Sequence, residues 1–340
     1  MSNVHDCVGF ALLRSQIGEQ AAEAIATLDL GELLNGATGD RVDRTVIAAA
    51  LNIVLFGDLL ARVPSAAAYV AERRAAGDRI CFDHGALRTI RFVEGPTGAL
   101  PGGEAAFVRI LRPLGYELAG VYPLPRLRMT GRAYAHADAP EAMPQFFVSE
   151  LHVEQFDPAF GSAARAIFGT SRDPLSATTK RALDRLEAGE TLALEEAASV
   201  LAECVAAFDR QHDVPRLADY AVLLAQSSEA AWISTEGNAF NHATDRLRDI
   251  DALAAAERAA GRPIKDRIEI SASGRVRQTA HRAALVRRPF IDDAGRPIER
   301  EVPGSFYEFI ARDVDPETGG LDLRFDSGNA TGIFAMTRAA

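Results

Sequence analysis

Two histidines 158 residues apart sit in matching surroundings, His84 and His242, and each is followed 66 residues later by a glutamate, Glu150 and Glu308. The first lies in Phe82-Asp83-His84-Gly85-Ala86-Leu87-Arg88 and the second in Phe240-Asn241-His242-Ala243-Thr244-Asp245-Arg246. Both have Phe two places before the His and Arg four places after it. His and carboxylate at a fixed repeat is the trace that a metal site shared between two copies of one structural unit leaves in a chain.

The order of elements repeats as well. Residues 79–93 read as strand, 104–111 as helix, and 114–118, 126–135 and 145–153 as strands, giving β-α-β-β-β. Strand texture returns at 231–234, a helix follows at 250–260 and is stopped by Gly261 and Pro263, and strands are expected at 267–272, 275–286 and 305–312. The Ala- and Leu-rich residues 8–77 and 157–225 read as helical. The expected organisation is therefore an N-terminal helical region (1–77), a first βαβββ module (78–156), a helical insert (157–228), and a second module with a C-terminal loop (229–340). The fold class is α+β, two βαβββ modules forming a curved mixed sheet around a metal site.

Composition narrows the function by exclusion. A net charge of −10 gives no basic stripe for nucleic acid. Cys7, Cys81 and Cys204 are scattered without CxxC pairing, which fits no disulfide framework and points to a reduced cytoplasmic setting. His5 and Asp6 stand where a signal peptide would place a basic start. The longest apolar run, 46–55 broken by Asn52, is about half the ~20 residues a membrane span needs, so a buried core helix is expected and no membrane partner. There is no GxGxxG, P-loop, HExxH or GxSxG signature.

On a strand, His84, Ala86 and Arg88 point the same way. A metal-bound imidazole beside a guanidinium suits an anionic substrate, with the metal at one end and Arg88 clamping a carboxylate. Two imidazoles and one carboxylate leave three open positions, the facial triad of non-haem Fe(II) oxygenases. Two imidazoles and two carboxylates suit Lewis-acid isomerase or lyase chemistry. The spacing supplies both Glu150 and Glu308, so the residues alone leave both sets open. Gln278 could offer an amide to substrate or bound oxygen, and His281 is a further candidate for the pocket wall. His136, His152 and His212 read as surface or structural. The segment from Phe325 to Phe334, with Gly328, Asn329 and Gly332, reads either as a loop that closes over a site or as a plain C-terminal tail.

The β-α-β-β-β repeat with ligands on first and last strands resembles the vicinal oxygen chelate superfamily. Phe82-Asp83-His84-Gly85-Ala86-Leu87-Arg88-Thr89, Phe240-Asn241-His242 and Gly304-Ser305-Phe306-Tyr307-Glu308-Phe309 resemble the 2-oxoadipate dioxygenase/decarboxylase family, also called 2-hydroxyglutarate synthase. The likeness runs from about residue 40 to Gly332-Ile333-Phe334. It implies His84, His242 and Glu308 as ligands of Fe(II), Arg88 as the anchor for the carboxylate of a 2-oxo acid, and a role in lysine catabolism. The implied reaction joins dioxygen to 2-oxoadipate and releases carbon dioxide and 2-hydroxyglutarate. Glu150 then becomes a remnant of the repeat or a group behind the ligands. Gly328-Asn329 stands where longer members carry a Val-Ser pair. That loop is expected to touch the far end of the substrate, making Asn329 a binding candidate and leaving the identity of the 2-oxo acid open. The competing readings are a glyoxalase-like isomerase or lyase using Glu150 with Glu308, and a binding protein on the same scaffold.

Overall fold

The computed structural model describes residues 7–36 and 40–326. Four helices come first: α1 (Val8–Ile17), α2 (Gln20–Thr27), α3 (Arg44–Arg62) and α4 (Pro64–Ala75), with the short strand β1 (Arg41–Val42) between α2 and α3. The first module follows as β2 (Phe82–Arg91), α5 (Ala105–Leu111), β3 (Tyr116–Leu124), β4 (Met129–His136) and β5 (Gln145–His152). The insert holds α6 (Pro158–Phe168), α7 (Ala177–Glu187), β6 (Leu192–Ala193), α8 (Leu194–Ala206), α9 (Leu217–Gln226) and α10 (Ser228–Glu236). The second module comprises β7 (Phe240–Arg246), α11 (Ile250–Ala259), β8 (Glu269–Ile270), β9 (Val276–Ala280), a hairpin of β10 (Leu285–Ile291) and β11 (Pro297–Pro303), and β12 (Phe306–Arg312).

Among the described residues the main sheet has eight strands in the order β3-β4-β5-β2-β7-β12-β9-β8. It is the expected curved, mixed sheet of two βαβββ modules. The order is a palindrome: within each half the first strand lies parallel to the last, and β2 and β7 join the halves antiparallel. Among the described residues the hairpin β10–β11 forms a two-stranded sheet of its own, so the strand expected over 275–286 is two strands, only the first of which belongs to the main sheet.

Residues 231–234, expected as strand, lie inside α10. Ser227 caps that helix by accepting from the Ala230 N–H, and residues 229–236 are buried on all sides. A helix buried all round has no polar face, so its sequence shows no helical period. Helix α3, the one described helix long and apolar enough to cross a membrane, is packed as a core element from Val46 to Leu59. Its Asn52 donates to the Ala48 carbonyl and the Tyr116 hydroxyl, which satisfies the amide nitrogen in an otherwise apolar layer. One apolar cluster draws on the N-terminal helices, both modules and the insert.

The seam between halves carries the feature that positions the site. Paired residues run His84↔Thr244, Gly85↔Ala243 and Ala86↔His242, then slip by one at each end, to Phe82↔Asp245 and Leu87↔Phe240. Asp83 and Asn241 are the extra residues at the two slips, each directly before a histidine. Adding 158 converts one slip into the other, so a local two-fold axis passes through the Gly85–Ala243 pair. Gly85 is needed there: a Cβ would lie 2.2 Å from the Phe240 ring.

The two halves are not equal in their outer registers. His84 lies opposite Gln145 on β5, whereas His242 lies opposite Phe306 on β12. Glu308 is therefore opposite Thr244, two residues past its histidine, while the residue opposite Ala86 in the first half is Phe147.

Candidate metal centre

His84 on β2, His242 on β7 and Glu308 on β12 bring one ligand atom each to within 4.8 Å of one another, all buried. His84 Nε2 stands 3.3 Å and His242 Nε2 3.4 Å from Glu308 Oε2. Each imidazole is held from behind. Asp83 Oδ1 is 2.8 Å from His84 Nδ1, and Asn241 Oδ1 is 3.1 Å from His242 Nδ1. An oxygen acceptor at Nδ1 puts the neutral ring's proton there and leaves a lone pair on Nε2. Asp83 is fixed in turn by Arg312, whose Nε lies 2.9 Å from Oδ2 and Nη2 2.8 Å from Oδ1. Thr244 donates to Glu308 Oε2 at 2.7 Å, and His242 stacks on Phe306 with centroids 4.7 Å apart.

The charges ask for a cation at this point. Burial works against a charged His84, but the hydrogen bonds of Asp83 and Glu308 outweigh it and raise its pKa. Burial lowers that of His242. Burial disfavours the Glu308 carboxylate, yet the two imidazoles hold it well below the usual range. Its Oε1 is buried with no hydrogen-bond partner among the described residues. Two lone pairs facing a carboxylate in a dry site fit a bound divalent metal of the N,N,O type.

The cavity beside the triad is lined by Ala86, Arg88, Phe147, Ser149, Asn241, Gln278 and Phe325. Arg88 is buried, lies 5.2 Å over the Trp232 ring and has its carbonyl capped by Asn238. Burial lowers its pKa to about 10, against the pull of Glu229. Phe325 packs edge-on against His84 at 4.8 Å and against Phe147, so the start of the expected C-terminal loop covers the site. The rest of that loop, including Gly328, Asn329 and Gly332, lies outside the described residues.

Arg88 and Gln278 therefore stand with the three ligands. Glu150 does not. It pairs with Thr89, out of phase with Arg88 and Ser149, and turns to the other face of the sheet, where Oε2 accepts the Glu104 N–H at 2.8 Å beside α5. The equal spacing of 66 residues is a coincidence of sequence: by register the counterpart of Glu308 is Phe147, not Glu150. Glu150 is neither a fourth ligand nor a group behind one. His281 also faces away, bonded through Nε2 to Glu257 at 2.8 Å. His136, His152 and His212 are structural, packing respectively on Tyr116, Thr130 and the Ser234 carbonyl. Arg246, the counterpart of Arg88, donates to the Glu141 carbonyl and approaches Asp83. The sequence reading missed Asp83, Asn241, Thr244 and Arg312. The signal available for the first two was a polar residue before each histidine within an apolar strand.

The profile of the 2-oxoadipate dioxygenase/decarboxylase family matches residues 55–323. Among curated proteins there is no match. Among solved structures, a glyoxalase superfamily protein from Ralstonia eutropha JMP134 is 50% identical, with 94% of this chain and 98% of that chain covered and a TM-score of 0.89. The hydroxyglutarate synthase of Oryza sativa, solved in complex with 2-oxoadipate, is 21% identical over 89% and 97% of the two chains, with a TM-score of 0.67. That of Pseudomonas putida is 21% identical over 88% and 75%, with a TM-score of 0.57. The likeness to the last two is one of fold.

Proposed function

The chain belongs to the 2-oxoadipate dioxygenase/decarboxylase family, and from that premise we propose that it is an Fe(II)-dependent dioxygenase and decarboxylase of a 2-oxo dicarboxylic acid, with 2-oxoadipate as substrate and 2-hydroxyglutarate and carbon dioxide as products. The observation that carries this reading is the convergence of two Nε2 lone pairs and one carboxylate in a buried site beside Arg88. The reaction balances without another reductant: 2-oxoadipate and dioxygen contain the atoms of 2-hydroxyglutarate and carbon dioxide.

Iron held by His84, His242 and Glu308 supplies a Lewis acid for the 2-oxo acid and a centre at which dioxygen can be reduced. The protein's own part is orientation and exclusion of water. Asp83 and Asn241 hold the ring tautomers, and Thr244 holds the Glu308 carboxylate. Arg88 remains cationic at neutral pH and clamps a substrate carboxylate. Phe147 and Phe325 form an apolar wall that keeps the site dry. Gln278 and, in the segment not described, Asn329 are proposed to meet the rest of the substrate. Cys81 and Cys204 form no disulfide among the described residues, in keeping with a reducing cytoplasm, which we propose as its location.

The isomerase or lyase alternative needs a fourth protein ligand, and Glu150 is turned away from the triad. The test is direct. Protein reconstituted anaerobically with Fe(II) is given 2-oxoadipate in an oxygen electrode, with 2-hydroxyglutarate followed by mass spectrometry. One dioxygen consumed per carbon dioxide released is expected; no uptake with any 2-oxo acid sinks the proposal.

A further inference from the structure

The local two-fold axis makes Asp83 and Asn241 equivalent, yet one is an acid and the other an amide. At Asp83 both carboxylate oxygens are engaged: they meet His84 and Arg312, with Arg246 at 3.7 Å. At Asn241 only half the side chain is engaged. Oδ1 meets His242 Nδ1, and Nδ2 is buried without a hydrogen-bond partner among the described residues. The amide cannot be turned over. With Nδ2 toward the ring, Nδ1 would become the acceptor and the proton would move to Nε2, where it would block the metal.

A buried amide N–H without an acceptor is unfavourable, and Asn241 is among the residues lining the cavity that also holds Arg88. The symmetry says what it awaits. Arg246 approaches Asp83, and the same operation that takes Asp83 to Asn241 takes Arg246 to Arg88. In the first half the anion between histidine and arginine is built into the chain. In the second half that place is held by a neutral amide, whose Nδ2 finds no acceptor among the described residues.

We infer that Asn241 is a substrate-contacting residue, whose Nδ2 donates to a carboxylate oxygen of the ligand beside Arg88 while its Oδ1 fixes His242. This rests on the functional reading above and adds a specificity element: the site takes a ligand with an anionic oxygen next to His242 and rejects a neutral analogue there. The slip in register is what turns Asn241 into the cavity, since a regular strand would point it to the face opposite His242.

The test uses the full chain loaded with Fe(II) under nitrogen and titrated calorimetrically with 2-oxoadipate, alongside metal titration and thermal unfolding. Asn241→Asp keeps an acceptor for His242 but replaces the donor with a negative charge. It is expected to bind metal as the wild type does and to bind 2-oxoadipate about 10- to 100-fold more weakly. Asn241→Ala, which removes both groups, is expected to weaken metal and ligand together. Wild-type affinity for 2-oxoadipate in Asn241→Asp overturns the contact and leaves the functional reading standing. Parallel loss of metal and ligand in Asn241→Asp also overturns it, assigning Asn241 to positioning alone. A wild-type protein that holds metal but binds no 2-oxoadipate overturns the functional reading and the contact with it.

Discussion

Glu150 and Glu308 stand the same number of residues beyond their histidines and end on opposite faces of one sheet, so single substitutions separate their roles. Glu150→Gln is expected to leave metal binding unchanged, because its carboxylate serves the Glu104 N–H and the Arg132 side chain. Its cost is to stability, about 1 kcal/mol, read as a fall in the urea midpoint. Glu308→Gln removes a ligand and is expected to weaken metal binding by more than about 100-fold, beyond the range for outer partners. Thr244→Val, which takes away only the donor to Glu308, should weaken it by about 10-fold. Isothermal titration of the metal-free protein with Fe(II) ranks all three, and equal affinities for Glu150→Gln and Glu308→Gln would refute the assignment. At this scale the members of the candidate site were legible because imidazole, carboxylate and guanidinium announce their chemistry. Thr244 was not, since a threonine on a strand is an ordinary sheet former. Nor could counting residues choose between the glutamates: only the pairing of β12 against β7, three residues out of step with that of β5 against β2, places Glu308 beside a histidine.

At the scale of elements, the junction of β2 and β7 depends on close approach at its centre. Gly85→Ala would place a methyl group against the Phe240 ring and is expected to destabilise the fold by about 1–3 kcal/mol, the range for overpacking. A chevron or urea curve for this variant checks it; an effect within ±0.5 kcal/mol would mean that Phe240 can move aside. The repeat of strand and helix was readable because each module alternates apolar runs with turn-forming glycine and proline. Among the elements that were not readable, two have identifiable reasons. Helix α10 is buried on every face and so hides its period, and β10 continues the strand texture of β9 across a turn into a hairpin outside the main sheet. The two slips in register were invisible as well, because a residue without a partner leaves no mark until the partner strand is known.

For the molecule as a whole, pH stability has an identifiable contributor away from the metal. His212 is held neutral, with burial pushing its pKa from 6.5 down to about 4 despite its hydrogen bond to the Ser234 carbonyl. Between those values the unfolded chain takes up a proton that the folded protein refuses. Stability present above about pH 6.5 is therefore lost as pH falls toward 4, by about 3 kcal/mol at most. Urea midpoints from pH 7.5 to 4.5 should show this slope, and His212→Gln should flatten it; an unchanged slope in the variant would place the proton uptake elsewhere.

The axis through Gly85 and Ala243 also decides how the proposed metal site is divided between the halves. His84 belongs to the first half of the chain, while His242 and Glu308 belong to the second. A first half folded alone would present one imidazole, and a second half a two-point ligand, neither with the affinity of the full set. With a metal bound as proposed, tight loading would report docking between halves: it would measure whether β2 and β7 have met, and the cation would act as a removable rivet across that join. A metal present at a thousand times its dissociation constant adds about 4 kcal/mol to the folded state, all of it conditional on the two halves staying together.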